Sequence, residues 1–274
     1  MGCLNADNGF EHWFANIHLS GLCNRSCYFC IGQHMMSLDR YNVLNEWPLP
    51  NLEEFLSQCK TRQVKEICLT GTNTDPALYR HQEKLCQYLR DRMDVPLAIR
   101  TNAVKYDKST FSLWDKASIT LCSFDSKIYK LMMGSGCPPD LKKILQENPQ
   151  VDIKINIVLG RENVDTLDFF DTLRKLSSLG IKRVNLREPY GQPHIGNPMP
   201  SECFKRHKLG MPLYEFDGME VMYWDVHYVE VESVNLYANG RISVTYPITK
   251  GHDDKGEVHE QSFFPGGRIV EQWV

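Results

Sequence analysis

Three cysteines, Cys23, Cys27 and Cys30, fall as Cys-x3-Cys-x2-Cys within Leu-Ser-Gly-Leu-Cys-Asn-Arg-Ser-Cys-Tyr-Phe-Cys-Ile-Gly-Gln, residues 19–33. Three thiolates so close together can hold three corners of a cubane iron–sulfur cluster and leave the fourth iron open to a ligand, which is where chemistry could happen. A structural zinc is the other use of such a run. It needs a fourth ligand, which His34 could supply, although zinc ligands normally come in paired spacings. The remaining cysteines, Cys3, Cys59, Cys68, Cys86, Cys122, Cys137 and Cys203, are scattered, with no two within four residues. An auxiliary cluster would declare itself as a close pair plus further ligands, so the spacing supports one cluster site.

A strand must deliver this loop. Trp13, Ala15, Ile17 and Leu19 alternate with Phe14, Asn16 and His18, which predicts a strand over His12–Ser20. Pro48 and Pro50 then punctuate the chain, and Asn51 is the expected cap of an amphipathic helix reaching Arg62. Further strands are expected at Val64–Thr70, Pro96–Asn102, Ser118–Ser123, Val151–Leu159 and Lys182–Arg187. Helices are expected at Ala77–Met93, Thr110–Lys116, Pro139–Gln146 and Asp165–Leu179, the last closed by Gly180. Six strands alternating with helices imply an α/β fold with a parallel sheet, right-handed crossovers and functional loops at the C-terminal strand ends. Six units make an open, partial (β/α)6 barrel. Residues 1–190 are expected to form it, and 191–274 a C-terminal, β-rich extension closing its open side. Within the extension Tyr190–Pro200 reads as a loop over the mouth and Glu220–Ser233 as β-rich. Val234–Tyr237 and Arg241–Tyr246, around Asn239-Gly240, read as a hairpin.

In a parallel sheet covered by helices the strands should be nearly all apolar. Here Asn16 and His18, Lys154 and Asn156, and Asn185 and Arg187 each stand two apart, so each pair shares one strand face. Burying unpaired polar groups costs on the order of 1–3 kcal/mol each, which makes a wet, ligand-filled lumen the better setting for them. Asn16, His18, Asn156, Asn185 and Arg187 are therefore candidate substrate-binding residues, with Arg187 the natural partner for a phosphate or carboxylate and Glu188 expected to point away.

The chain of 274 residues is 42% hydrophobic and 24% charged with a net charge of −3, an ordinary globular composition. No general basic field invites extended nucleic acid or an anionic membrane, and no run of about 18 apolar residues suggests a transmembrane helix. Ten cysteines without an apolar secretory segment at the start point to a reducing, cytoplasmic compartment rather than to disulfides.

The cysteine loop, with Phe29 before the third cysteine, resembles the signature of the radical S-adenosylmethionine (radical SAM) superfamily. The resemblance implies a [4Fe-4S] cluster on Cys23, Cys27 and Cys30, with S-adenosylmethionine on the open iron. An electron from a donor such as flavodoxin or ferredoxin then yields a 5′-deoxyadenosyl radical. Thr70-Gly71-Thr72-Asn73 looks like the family's Gly-Gly-Glu segment, whose backbone holds the methionyl amino group. Thr72 and Asn73 depart from that pattern, and Asp75 is a possible substitute acid or a turn cap. Thr101, Ser123 and Lys154 match S-adenosylmethionine contacts of the molybdenum-cofactor GTP cyclase branch; ordinary turn chemistry and a snorkelling lysine are their alternative reading. That branch carries a second cluster in its tail, for which this tail has no cysteines, so the cyclase activity itself is not expected. The likeness implies hydrogen abstraction from a small polar substrate, a nucleoside or nucleotide. The segment from Asn16 through Met36 also looks like the start of the radical SAM lyases of queuine salvage, which release a 7-deazaguanine base from a queuosine nucleotide. A peptide-modifying radical SAM enzyme is a second reading; it predicts a peptide-binding edge or recognition domain, and the sequence shows none. A non-enzymatic metal protein is the third, and the polar stripes argue against it.

Overall fold

A computed structural model describes residues 13–35, 41–208, 210–224 and 233–244. The expected start of the first strand at His12 lies outside these residues, as do parts of the expected β-rich segment 220–233 and the end of the hairpin at Tyr246.

The sheet is built from β1 Phe14–Leu19, β2 Ile67–Gly71, β3 Leu97–Thr101, β4 Lys116–Thr120, β5 Asp152–Val158 and β6 Arg183–Arg187. All six run parallel in sequence order. The tail adds β7 Phe204–Lys208, β8 Met211–Phe216, β9 Met219–Trp224, β10 Ser233–Tyr237 and β11 Ile242–Ser243. β9 pairs parallel with β6, and β10 pairs parallel with β1 on the opposite edge. The parallel sheet therefore has eight strands, and β7–β8 and β11 flank it antiparallel. Among the described residues β7 and β11 are the two edges and do not pair.

Helices cover the outer face because their apolar residues recur at helical spacing. In α1 (Leu52–Thr61) these are Leu52, Phe55, Leu56 and Cys59, and in α2 (Gln82–Arg90) Leu85, Cys86 and Leu89. The outward strand residues Ile17, Leu69, Ile99, Ile119, Ile155 and Leu186 meet helices α3 (Lys108–Phe111), α4 (Ser126–Met133), α5 (Leu141–Glu147), α6 (Arg161–Val164) and α7 (Asp168–Ser178) in one core with α1 and α2.

Several local expectations need correction. Asn51 does not cap α1 with its side chain; it adopts a left-handed conformation (φ 58°), and its Nδ2 donates to the Gly240 carbonyl at 2.8 Å. The amide gains a tertiary partner in the β10–β11 turn that outweighs the local cap. The expected helix 77–93 begins instead as a 3-10 turn at Pro76–Leu78, and α2 starts at Gln82. Strand β4 starts two residues and ends three residues earlier than expected. Sequence reasoning overlooked α4, although Asp125 accepts from the amides of Lys127 and Ile128 and Gly134 (φ 79°) ends the helix. The hairpin β7–β8 was also not expected; β7 is wholly exposed and lacks an alternating apolar pattern.

Candidate functional site

Strand β1 ends at Leu19, and the chain turns at once into the cysteine loop. The loop is held by the segment after β2. The Asn73 Oδ1 accepts from Ser20 Oγ (3.0 Å) and the Gly21 amide (3.1 Å), Thr72 N donates to Leu19 O (2.9 Å), and Thr74 Oγ1 donates to Leu22 O (3.0 Å). A 3-10 turn over Ile31–His34 follows, with Gly32 packed against the same segment. A Cβ at Gly32 would stand 2.7 Å from the Thr72 carbonyl oxygen, so the loop approaches this closely only with glycine there. On its other side Ser26 N donates to Met133 O (3.2 Å), and the Cys27 sulfur lies 3.6 Å from that of Met133 at the end of α4.

The three cysteines face one cavity, which Thr70, Gly71, Thr72, Asn73, Thr101, Asn156 and Arg187 also line, with Phe29 at its edge. The structure thus brings together most of the residues named from sequence. Burial, followed by the neighbouring Cys30 and Cys23 charges, pushes the Cys27 thiol up to about 12. Burial raises the Cys23 thiol as well, with Cys30 contributing. Thiolates this close repel one another, and positively charged metal bound among them removes that penalty; the donor set fits an iron–sulfur cluster in this respect. Among the described residues no three His, Cys, Asp or Glu side chains converge on a single metal ion. His34, the possible fourth zinc ligand, packs edge-on against Tyr190 with centroids 4.9 Å apart.

Asp75 is a buried brace. Its Oδ1 accepts from Thr101 Oγ1 (2.7 Å) and the Ala77 amide (2.8 Å), and its Oδ2 from the Asn102 amide (2.6 Å). Burial pushes this carboxyl above the usual carboxylate range, while the three donors pull the other way. Asn102 in turn donates through Nδ2 to Asn24 Oδ1 at 2.7 Å, inside the cysteine loop. A chain of hydrogen bonds therefore ties the ends of β2 and β3 to the loop that carries the thiols. The Thr101 hydroxyl is spent on Asp75 as a donor and also accepts from the Ala103 amide (2.9 Å).

Five residues named from sequence stand elsewhere. Ser123 is fully buried outside the cavity; it donates to Asp168 Oδ1 (2.8 Å) and accepts from the Asp125 amide (2.8 Å). That is turn chemistry. Lys154 points into the barrel but sits two residues below Asn156, at the N-terminal end of the lumen among Arg100, Ser118 and Arg183. Asn185, the register partner of Asn156, lines a cavity with Lys154 rather than the one that faces the thiols. Asn16 and His18 form a buried polar cluster with β10. The Asn16 Nδ2 donates to Asn235 Oδ1 (2.9 Å), His18 Nε2 lies 3.3 Å from the same oxygen, and the His18 ring stacks on Tyr237 at 4.8 Å. Burial lowers His18 to about 3 and keeps it neutral.

Sequence reasoning missed Arg100 and Thr120, which line the cavity from β3 and β4. Parity could have found them, because each stands beside an outward-facing apolar residue, Ile99 and Ile119. Tyr190 was missed as well. Glu188, expected to point away, borders the cavity, with its carboxylate engaged by the loop after β6. Its carboxylate accepts from the amides of Ile195 (2.9 Å) and Gly196 (2.8 Å) and from the Tyr223 hydroxyl (2.8 Å), which pins the mouth loop. Among the described residues no helix is long and apolar enough to cross a membrane.

No protein-family model matches this chain, and no curated protein does. Among solved structures it is similar to SuiB of Streptococcus suis, with a TM-score of 0.57 at 17% identity over 84% of this chain and 60% of that one. The structure of SuiB bound to S-adenosylmethionine aligns at 0.50 with 20% identity, over 67% of this chain and 41% of that one. Native anSMEcpe with bound AdoMet aligns at 0.50 with 16% identity, over 68% and 55%. The chain spans less than two thirds of the length of each of these proteins. All are radical SAM enzymes, and the alignments, together with the parallel α/β sheet, show that this chain has the radical SAM fold.

Proposed function

We propose that this chain is a radical SAM enzyme with one [4Fe-4S] cluster, acting on a small polar substrate held in the barrel lumen. One observation carries the reading. Three thiols on the first βα loop face a single cavity with the polar ends of β2, β3 and β5. Cys23, Cys27 and Cys30 would hold the cluster, and the segment Thr70–Asn73 and Thr101 would line the seat of S-adenosylmethionine. When bound, the pair supplies a 5′-deoxyadenosyl radical that abstracts hydrogen from substrate. The protein's own task is placement and exclusion. The Asp75–Asn102–Asn24 chain and Asn73 fix the cysteine loop, and Glu188 pins the loop that follows β6.

The substrate class rests on the lumen and on resemblance. Asn156 and Arg187 offer amide and guanidinium groups suited to a nucleoside or nucleotide, and a lyase releasing queuine from queuosine 5′-phosphate is the specific reaction we favour. A peptide substrate is the second reading, favoured by a SuiB structure bound to the precursor peptide SuiA (TM-score 0.51, 22% identity). A cytoplasmic setting with a flavodoxin or ferredoxin as reductant accompanies either. Anaerobic reconstitution should give brown protein with about four irons per chain that cleaves S-adenosylmethionine to 5′-deoxyadenosine under reductant. Alanine at Cys23, Cys27 or Cys30 should abolish that cleavage. A colourless, zinc-binding protein, or cleavage surviving any of the three changes, would end the proposal. Product analysis with queuosine 5′-phosphate tests the lyase step, and absence of base release retires that step alone.

A further inference from the structure

A second cavity, lined by Lys154 and Trp224 between β5, β6, β8 and β9, holds two hydrogen-bond donors without a partner among the described residues. The Trp224 side chain is 1% exposed, yet its indole N–H has no hydrogen-bond partner. An indole nitrogen only donates, and a buried donor left unmet is costly, so this one calls for an acceptor. Lys154 faces the same space, beside Asn185 and Arg183, and its amine makes no hydrogen bond or ion pair among the described residues. The acids nearest this cavity are already committed. Glu66 pairs with Lys116, Asp152 pairs with Arg183, and Glu220 is half-exposed with Arg206 at 4.0 Å. Burial, then the Arg187 and Arg100 charges, lowers the Lys154 amine to about 7; an anion beside it would offset those cations and restore its charge.

We propose that Lys154 Nζ and the Trp224 indole N–H form an oxyanion subsite in the cavity they both line, which takes a phosphate or carboxylate group of the substrate. This rests on the lumen being the substrate site. Strand rise is about 3.3 Å per residue, so Lys154 lies about 7 Å below Asn156 along β5, and Trp224, the register partner of Arg187, reaches the same cavity from higher up the barrel. The substrate would therefore be a molecule with its acidic group about that far below the part held beside Asn156. The wall formed by Met222 and Leu213 gives the intervening body an apolar surface.

The test uses the full chain, reconstituted anaerobically, with inorganic phosphate and acetate titrated separately by calorimetry. Either anion should bind the wild type at one site per chain, and which one binds identifies the group. Lys154→Met and Trp224→Phe should each weaken that binding about ten-fold or more, the loss expected for a charged or buried hydrogen bond. Trp224→Phe keeps the ring and removes only the donor, so it stands as the test where the lysine variant does not fold. Binding that survives either substitution, or no binding of either anion to the wild type, overturns the subsite. S-adenosylmethionine cleavage by the same wild-type preparation separates the two ideas. Cleavage without anion binding removes the subsite alone, whereas anion binding without cleavage removes the enzyme class alone.

Discussion

Asp75→Asn is the sharpest probe of how the thiol loop is held. The substitution preserves size and one carbonyl oxygen, which can keep the Ala77 amide (2.8 Å) and the Thr101 hydroxyl (2.7 Å). The other oxygen becomes an amide NH2 facing the Asn102 N–H, which now donates at 2.6 Å. One charge-assisted bond is lost, a buried donor is left unmet, and the two surviving bonds weaken. The expected cost is about 2–4 kcal/mol, a large part of the roughly 5–15 kcal/mol that a domain holds in reserve. In anaerobic urea unfolding followed by circular dichroism, at a slope of about 3 kcal/mol/M, the midpoint should fall by about 1 M. Thr101→Val removes one of the same bonds, so the double variant should lose less than the sum of the singles. A variant within about 0.5 kcal/mol of wild type would refute the brace. Unchanged stability with weakened S-adenosylmethionine binding would instead make Asp75 a direct ligand, the acid that the departure at Asn73 left open.

Other consequences follow from single contacts. Gly71→Ala would put a Cβ 1.9 Å from the Thr74 carbonyl oxygen, so we expect a loss of about 3 kcal/mol in thermal unfolding; a normal melting curve would show that the β2 turn can give way. Glu188→Ala removes the acceptor for two mouth-loop amides and the Tyr223 hydroxyl, so limited proteolysis between residues 190 and 200 should accelerate several-fold, with equal rates counting against the pin. Lys154 is lowered in the fold from 10.5 to about 7, so between those values the unfolded chain holds a proton that the folded one does not. Stability should therefore rise with pH across about 7–10.5, by up to about 1.4 kcal/mol per unit, and Lys154→Met should flatten that slope in urea titrations at several pH values. Parallel curves for the two proteins would place Lys154 in water.

The sequence by itself determined the chemistry and the kind of fold. The thiol spacing is local, the strand–helix alternation repeats over a few residues, and the two-residue spacing of Lys154 with Asn156 and of Asn185 with Arg187 marks a strand face whatever the neighbours are. These features could be read because each depends on short-range geometry. Depth in the lumen could not, since it depends on how strands are staggered against one another. Asn185 pairs in register with Asn156 yet lines the cavity of Lys154, and Asn16 and His18 are drawn to Asn235 by a β10 strand distant in sequence. Ser123 and Asn51 found tertiary partners, Asp168 and Gly240, that no window around either residue contains. Asp75 belongs to the same group, because its carboxylate is a possible ligand or a cap until β3 supplies Thr101 and Asn102. Only the tertiary structure decided that the tail adds parallel strands to both edges of the sheet. An edge strand is chosen by the open hydrogen-bonding groups it meets across space, and the sequence does not record which edges are left open.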